Sequence, residues 1–111
     1  MESIVELAER LGKAIAAAPQ AVKLRALRKE VTADKGLTAL LQQYHEQADK
    51  VAELEEQNKP VEVEDKHRLQ ELHDKLVASD LFKRFTVAQV DYVDMMRQVN
   101  QAIGRQVTDV E

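Results

Sequence analysis

The 111-residue chain predicts an all-α protein of about five helices, with a long antiparallel helical pair, shorter flanking helices and a dimeric state. Three observations carry this reading. Apolar residues recur at helical spacing through nearly every segment. The composition is 44% hydrophobic but only 4% aromatic, so Leu, Ala and Val must build the core. Three glycines and two prolines leave few places for hairpin turns. Charged residues at 32% fit long amphipathic helices with one wet face.

The last helix, expected from Leu81 to about Gly104, says most. Leu81, Ala88, Met95 and Ala102 repeat every seven positions, and Phe85, Tyr92 and Val99 form the interleaved line. This alternating spacing is the seam of a helix packed lengthwise against another. Phe82, Met96 and Ile103 widen the stripe, so the helix is expected to touch more than one neighbour. It would be ~36 Å long at 1.5 Å per residue, whereas a compact domain of this size has a radius of gyration near ~13 Å. Such a ridge cannot be buried along its whole length inside one globule. Part of it is expected to bury against a second subunit.

The earlier helices follow from caps and periodicity. Ser3 and Glu6 form a capping box for helix one, to Ala17, whose apolar face is Ile4, Leu7, Ala8, Leu11, Ala14 and Ile15. Pro19 stops it by disfavouring helical geometry at Ala18 and starts helix two, which reaches about Ala33. Leu24, Leu27 and Val31 give helix two a narrow stripe, so it is expected to be the less buried of the two. Asp34 caps helix three, extending to about Gln57, with Leu37, Leu40, Leu41, Tyr44, Ala48, Val51 and Leu54 on one side and a Glu46/Lys50 pair on its surface. Asn58-Lys59-Pro60 ends it, and Val61 to Val63 connects to helix four. That helix runs from near Glu64 to Ala78, with Leu69, Leu72, Leu76 and Val77 inward. Ser79 or Asp80 caps helix five, and the tail from about Arg105 is expected to fray. Short loops make successive helices antiparallel neighbours. The whole of 1–111 reads as a single helical domain.

Charge and composition narrow the function classes. The formal net charge is −4, and the only basic bias is Lys23, Arg25, Arg28 and Lys29 on helix two, which reads as a solvated face rather than a nucleic-acid footprint. There are no cysteines, which rules out disulfides, thiolate catalysis and Cys-ligated zinc or iron–sulfur clusters. Glu2, Glu6, Glu9 and Arg10 interrupt any secretory leader, and no apolar run reaches membrane-span length. A cytoplasmic protein without membrane insertion is expected.

Few residues suggest chemistry. Glu64 and His67 match half of a di-iron Glu-x-x-His element, but its mate reads Gln70-x-x-His73, whose neutral amide cannot balance a metal. His45 and Asp49 are a possible surface pair for a stray divalent ion. Ser3 and Ser79 are helix caps, and no nucleophile elbow, P-loop or dinucleotide fingerprint occurs. A chorismate-mutase-like helical enzyme would need inward cations on its long helices, where Tyr44, Ala48 and Val51 stand. No catalytic, cofactor-binding or metal residue is assigned. A small helical-bundle enzyme or carboxylate–His metal protein is the alternative class. Met95, Met96, Tyr92 and Phe85 read as core or dimer seam before an adaptable binding surface.

Four segments, in order and spacing, resemble the YlbF/YmcA family of small bacterial helical proteins over nearly the whole chain. They are Leu7-Ala8-Glu9-Arg10-Leu11-Gly12-Lys13-Ala14-Ile15, Leu40-Leu41-Gln42-Gln43-Tyr44, Ser79-Asp80-Leu81-Phe82, and Met95-Met96-Arg97-Gln98-Val99-Asn100-Gln101-Ala102-Ile103. The resemblance implies a cytoplasmic, non-enzymatic regulator that dimerises or joins related small helical subunits. It also implies a complex adjusting mRNA processing by a membrane-anchored endoribonuclease, with effects on competence, sporulation and biofilm formation. Some members hold iron–sulfur clusters through cysteines; this chain has none, so no such cluster is expected here. The expected self-association or partner surface is Leu41, Tyr44 and Val51 on helix three with Leu81, Phe85, Tyr92, Met95, Met96, Val99 and Ile103 on helix five.

Overall fold

The structure, a computed structural model, describes residues 1–110. Five helices follow in order: α1 (Ile4–Ala17), α2 (Pro19–Ala33), α3 (Lys35–Glu56), α4 (Val63–Ala78) and α5 (Asp80–Gln106). No strand occurs among the described residues.

The helix ends form where side chains can satisfy open backbone groups. Ser3 Oγ accepts from the Glu6 amide at 3.1 Å, Asp34 Oδ1 from the Leu37 amide at 2.9 Å, and Ser79 Oγ from the Phe82 amide at 3.1 Å. The capping box at α1 is half built: the Glu6 carboxylate makes no return bond among the described residues, while Glu2 instead pairs with Arg10. Ala18 is extended, at φ −65° and ψ 146°, as the following proline demands. At the end of α3, Asn58 takes φ 56°, the one left-handed non-glycine residue described. Its amide donates to Glu55 O at 3.1 Å, and the Lys59 amide donates to Leu54 O at 2.8 Å. These two bonds make a Schellman ending, with asparagine where glycine is commonest.

Backbone proximity divides the chain into two compact units, one of Met1–Arg28 with the chain from Phe85 onward, the other of Lys29–Arg84. The second unit is built on the α3–α4 pair. The two helices run antiparallel: Gln47 Nε2 donates to Asp65 O at 3.0 Å and Lys50 Nζ reaches Asp65 Oδ1 at 2.9 Å. Lys50 therefore serves the hairpin rather than the expected pair with Glu46, whose carboxylate accepts from Gln42 Nε2 at 3.1 Å. Val31, Leu37, Leu72 and Leu76 are buried. The rest of the expected α3 face, from Leu40 through Leu54, is half-buried, because one facing helix covers only part of a wide stripe. Val77, expected inward, is 39% exposed, and Val63 opens α4 one residue early at 66% exposed. Arg84 pairs with Asp80 at 2.9 Å and reaches Glu30 at 4.0 Å.

In the first unit the burial order of α1 and α2 is the reverse of the expectation. No residue of α1 is buried. Ala21, Leu24 and Leu27 of α2 are buried, as is Ala88 of α5 at 1% exposed. The amphipathic pattern identifies which face of α1 is apolar, but the chain itself supplies little to cover it. The narrow α2 stripe, extended by Ala21, is buried all the same. At the far end of the expected α5 seam, Ala102 and Ile103 are exposed, and the helix continues to Gln106.

Candidate interaction surface

Exposure along the apolar face of α1 falls toward its C-terminal end: Ile4 is 82% exposed, Leu7 46% and Leu11 39%, and Ile15 is half-buried. The helix is thus held at one end and uncovered at the other. The held end borders a cavity of about 500 Å³ lined by Gly12, Ile15 and Ala16 of α1, Ala21, Leu24, Arg25 and Arg28 of α2, and Tyr92 and Met96 of α5. Arg25 Nη2 donates to Ala16 O at 2.7 Å. Ala16 carries one of the last four carbonyls of α1, which no intrahelical amide can reach, so a cation there satisfies an orphan acceptor at the negative helix end.

A helix of 14 residues is marginal in water without tertiary cover. Leaving its large apolar side chains in water forgoes stabilisation of about 1.5–3 kcal/mol for each one that could be fully buried. The uncovered face therefore has the character of an association surface.

The same unit carries a second uncovered apolar strip. Val87, Val90 and Val93 on α5 are 55%, 61% and 64% exposed. Val90 and Val93 line a shallow groove with Gln89, Asp94 and Arg97, and Val93 and Arg97 also border the next depression with Tyr92, Met96, Asn100 and Gln101. Asp94 is engaged by Arg97 and by Gln98 Nε2, the latter at 3.2 Å.

The ten residues expected from sequence to form the association surface fall in both units. Leu41, Tyr44, Val51 and Leu81 are half-buried in the second unit; Phe85, Tyr92, Met95, Met96 and Val99 are half-buried in the first, and Ile103 is 48% exposed. Tyr92 and Met96 come together at the cavity beside α2. Sequence reasoning missed the α1 face and the valine strip. The strong amphipathicity of α1 and the Val87-Val90-Val93 spacing were the available signals.

Groups with chemical potential are dispersed. His45, His67 and His73 are exposed; His45 lies edge-on to Tyr44 with ring centroids 6.1 Å apart, and His73 Nδ1 is 3.6 Å from Asp74. Among the described residues no group of three or more His, Asp or Glu side chains is placed to hold a metal ion. The hydrogen bond from Lys50, aided by its charge and by Gln47, holds the Asp65 carboxyl below its ordinary pKa, and the same bond raises Lys50. This pair ties a hairpin rather than serving a pocket. No helix among the described residues is long and apolar enough to cross a membrane.

Comparisons with known proteins agree with this architecture. No curated protein matches the chain significantly. The crystal structure of Bacillus subtilis RicA, solved in complex with RicF, superposes with a TM-score of 0.78 at 18% identity, covering 96% of this chain and 97% of RicA. At that identity the likeness establishes the shared all-helical fold. The model of the family described as control of competence regulator ComK, YlbF/YmcA, matches residues 4–108. With five helices in the expected order and a family match spanning almost the entire chain, the protein belongs to the YlbF/YmcA family.

Proposed function

We propose that the protein is a non-enzymatic regulator that works by binding other small helical proteins, within the control of competence for which its family is named. The observation that carries this reading is the uncovered apolar face of α1, with Ile4 82% and Leu7 46% exposed on a helix that buries no residue. A surface of this kind gains stability only when another molecule covers it. The association of RicA with RicF supports a related subunit as the partner class.

Phe85, Tyr92, Met95, Met96 and Val99, half-buried, with Ile103, are further proposed association residues of the first unit, and half-buried Leu41, Tyr44, Val51 and Leu81 are proposed association residues of the second. The finer role follows the family: a cytoplasmic adapter in a complex that adjusts RNA processing by an endoribonuclease, with consequences for sporulation and biofilm formation. Affinity purification of the tagged chain from its own host tests the reading. Recovery of small helical proteins of the same family, with an endoribonuclease, is the expected result. Recovery of the chain alone, under conditions that preserve other complexes, would contradict it. A Met95→Asp or Tyr92→Asp substitution is expected to reduce recovery by placing an unpaired charge in the seam.

A further inference from the structure

Two of the four cations on α2 stand at the edge of a cavity. Arg25 and Arg28, three positions apart and so on one side of the helix, line the space of about 500 Å³ among α1, α2 and α5, whereas Lys23 and Lys29 do not. The rest of its lining is uncharged and mostly apolar: Leu24 is buried, and Ile15, Tyr92 and Met96 are half-buried. We propose that this cavity binds a small amphipathic carboxylate, with its apolar body against Ile15, Leu24, Tyr92 and Met96 and its anionic head on Arg25 and Arg28. The inference goes beyond the association reading and does not depend on it.

The site is partly built without a ligand. Its volume falls within the roughly 300–1,000 Å³ of small-molecule sites, which share this mainly apolar lining with a few polar groups. Ala16 O takes one N–H of Arg25 at 2.7 Å, which holds the guanidinium at the cavity edge, and no described carboxylate pairs with it. The Tyr92 hydroxyl has no hydrogen-bond partner among the described residues. Gly12 adds an independent sign. Glycine weakens a helix interior relative to alanine, yet Gly12 has no positive φ, and a Cβ built on it meets nothing within 4 Å. Neither backbone nor packing calls for glycine there; room at the cavity does.

Helix ends favour a single charge on the ligand. Ile15 and Ala16 belong to the last turn of α1, the negative end of its dipole. The start of α2 sends no amide to offset it: Pro19 has none, the Ala21 and Val22 amides donate to Ala18 O at 3.0 Å, and Gln20 does not line the cavity. A multiply charged phosphate would be opposed by that end, whereas a carboxylate matches the planar fork of one arginine.

Calorimetric titration of the full chain with octanoate tests the site, with octanol as the neutral body and acetate as the bodiless head. Octanoate is expected to bind once per chain and more tightly than either. Arg28→Gln is expected to weaken octanoate roughly 10-fold and leave octanol unchanged, while Lys29→Gln, the same charge change one residue away, leaves both unchanged. Gly12→Leu is expected to abolish binding of both without lowering the melting temperature. Absence of octanoate binding, octanoate binding no tighter than octanol, or equal losses in Arg28→Gln and Lys29→Gln overturn the site. Binding that survives in folded Gly12→Leu also overturns it, since the ligand then sits on apolar surface elsewhere. If Gly12→Leu does not fold, the adjacent arginine and lysine variants decide.

Discussion

The Arg25 guanidinium donates a 2.7 Å hydrogen bond to the carbonyl of Ala16, across the break that Pro19 imposes between α1 and α2. The proline explains why α1 stops; Arg25 explains how its last turn is held once it has stopped. With Ile15 half-buried at the same end, this contact fixes the base from which the open face of α1 projects. Replacing Arg25 by Met keeps most of the aliphatic stem and removes the donor. Faster amide exchange in α1 is expected, with a loss of about 0.5–1.5 kcal/mol, the size of a hydrogen bond in partial contact with water. Unchanged exchange in α1 would show that apolar contact alone secures it.

Asn58 is the left-handed residue that closes α3, at φ 56°. Asparagine tolerates this conformation better than other residues with a Cβ, and glycine better still. Asn58→Gly is expected to leave the melting temperature unchanged or slightly raised, whereas Asn58→Ala costs about 1 kcal/mol. Equal stability of the two variants would remove the backbone argument.

The Lys50–Asp65 pair gives the α3–α4 hairpin a pH dependence with a defined sign. Asp65 has its pKa lowered in the fold, so its contribution is complete above the unfolded value and is lost as pH falls through the folded one, below about pH 4. Lys50 has its pKa raised, so its contribution is complete below the unfolded value and is lost as pH rises through the folded one, above about pH 10. Stability is therefore flat between these limits with respect to this pair. Asp65→Asn should flatten part of the acid limb in urea titrations at several pH values; an identical acid limb in the variant would show that other carboxylates set it.

Within α4, burial separates two residues that the sequence treats alike. Leu72 is 1% exposed and Val77 39% exposed. Leu72→Ala is expected to cost about 2–5 kcal/mol through lost transfer energy and a residual cavity. Val77→Ala is expected to stay within about 0.5 kcal/mol. Comparable losses in thermal unfolding would contradict the burial pattern.

These contrasts show where the sequence was readable. Helix existence and ends followed from local chemistry: Ser3, Asp34 and Ser79 cap as their side chains dictate, and Pro19 and Asn58 break the chain where their backbones require. Local rules could not tell which apolar face finds cover. The face of α1 and the stripe of α2 both satisfy helical periodicity, yet only α2 buries residues, because burial depends on what other parts of the chain bring alongside. The same limit applied to Val77, to Ala102 and Ile103, and to Lys50, which chose a partner fifteen positions away over one four positions away. The candidate surface was legible as an excess of apolar ridge. Its location on α1 and the outer side of α5 was not.

Hydrogen exchange of the α1 amides, compared with those of α2 in dilute and in concentrated protein, tests most directly whether α1 depends on another molecule for its cover. The account predicts fast exchange in α1 at high dilution, well ahead of α2, and slowing as concentration rises or a partner is added. Protection of α1 equal to that of α2 in the dilute chain, unchanged on concentration, would show that a lone molecule already covers this helix and would contradict the account.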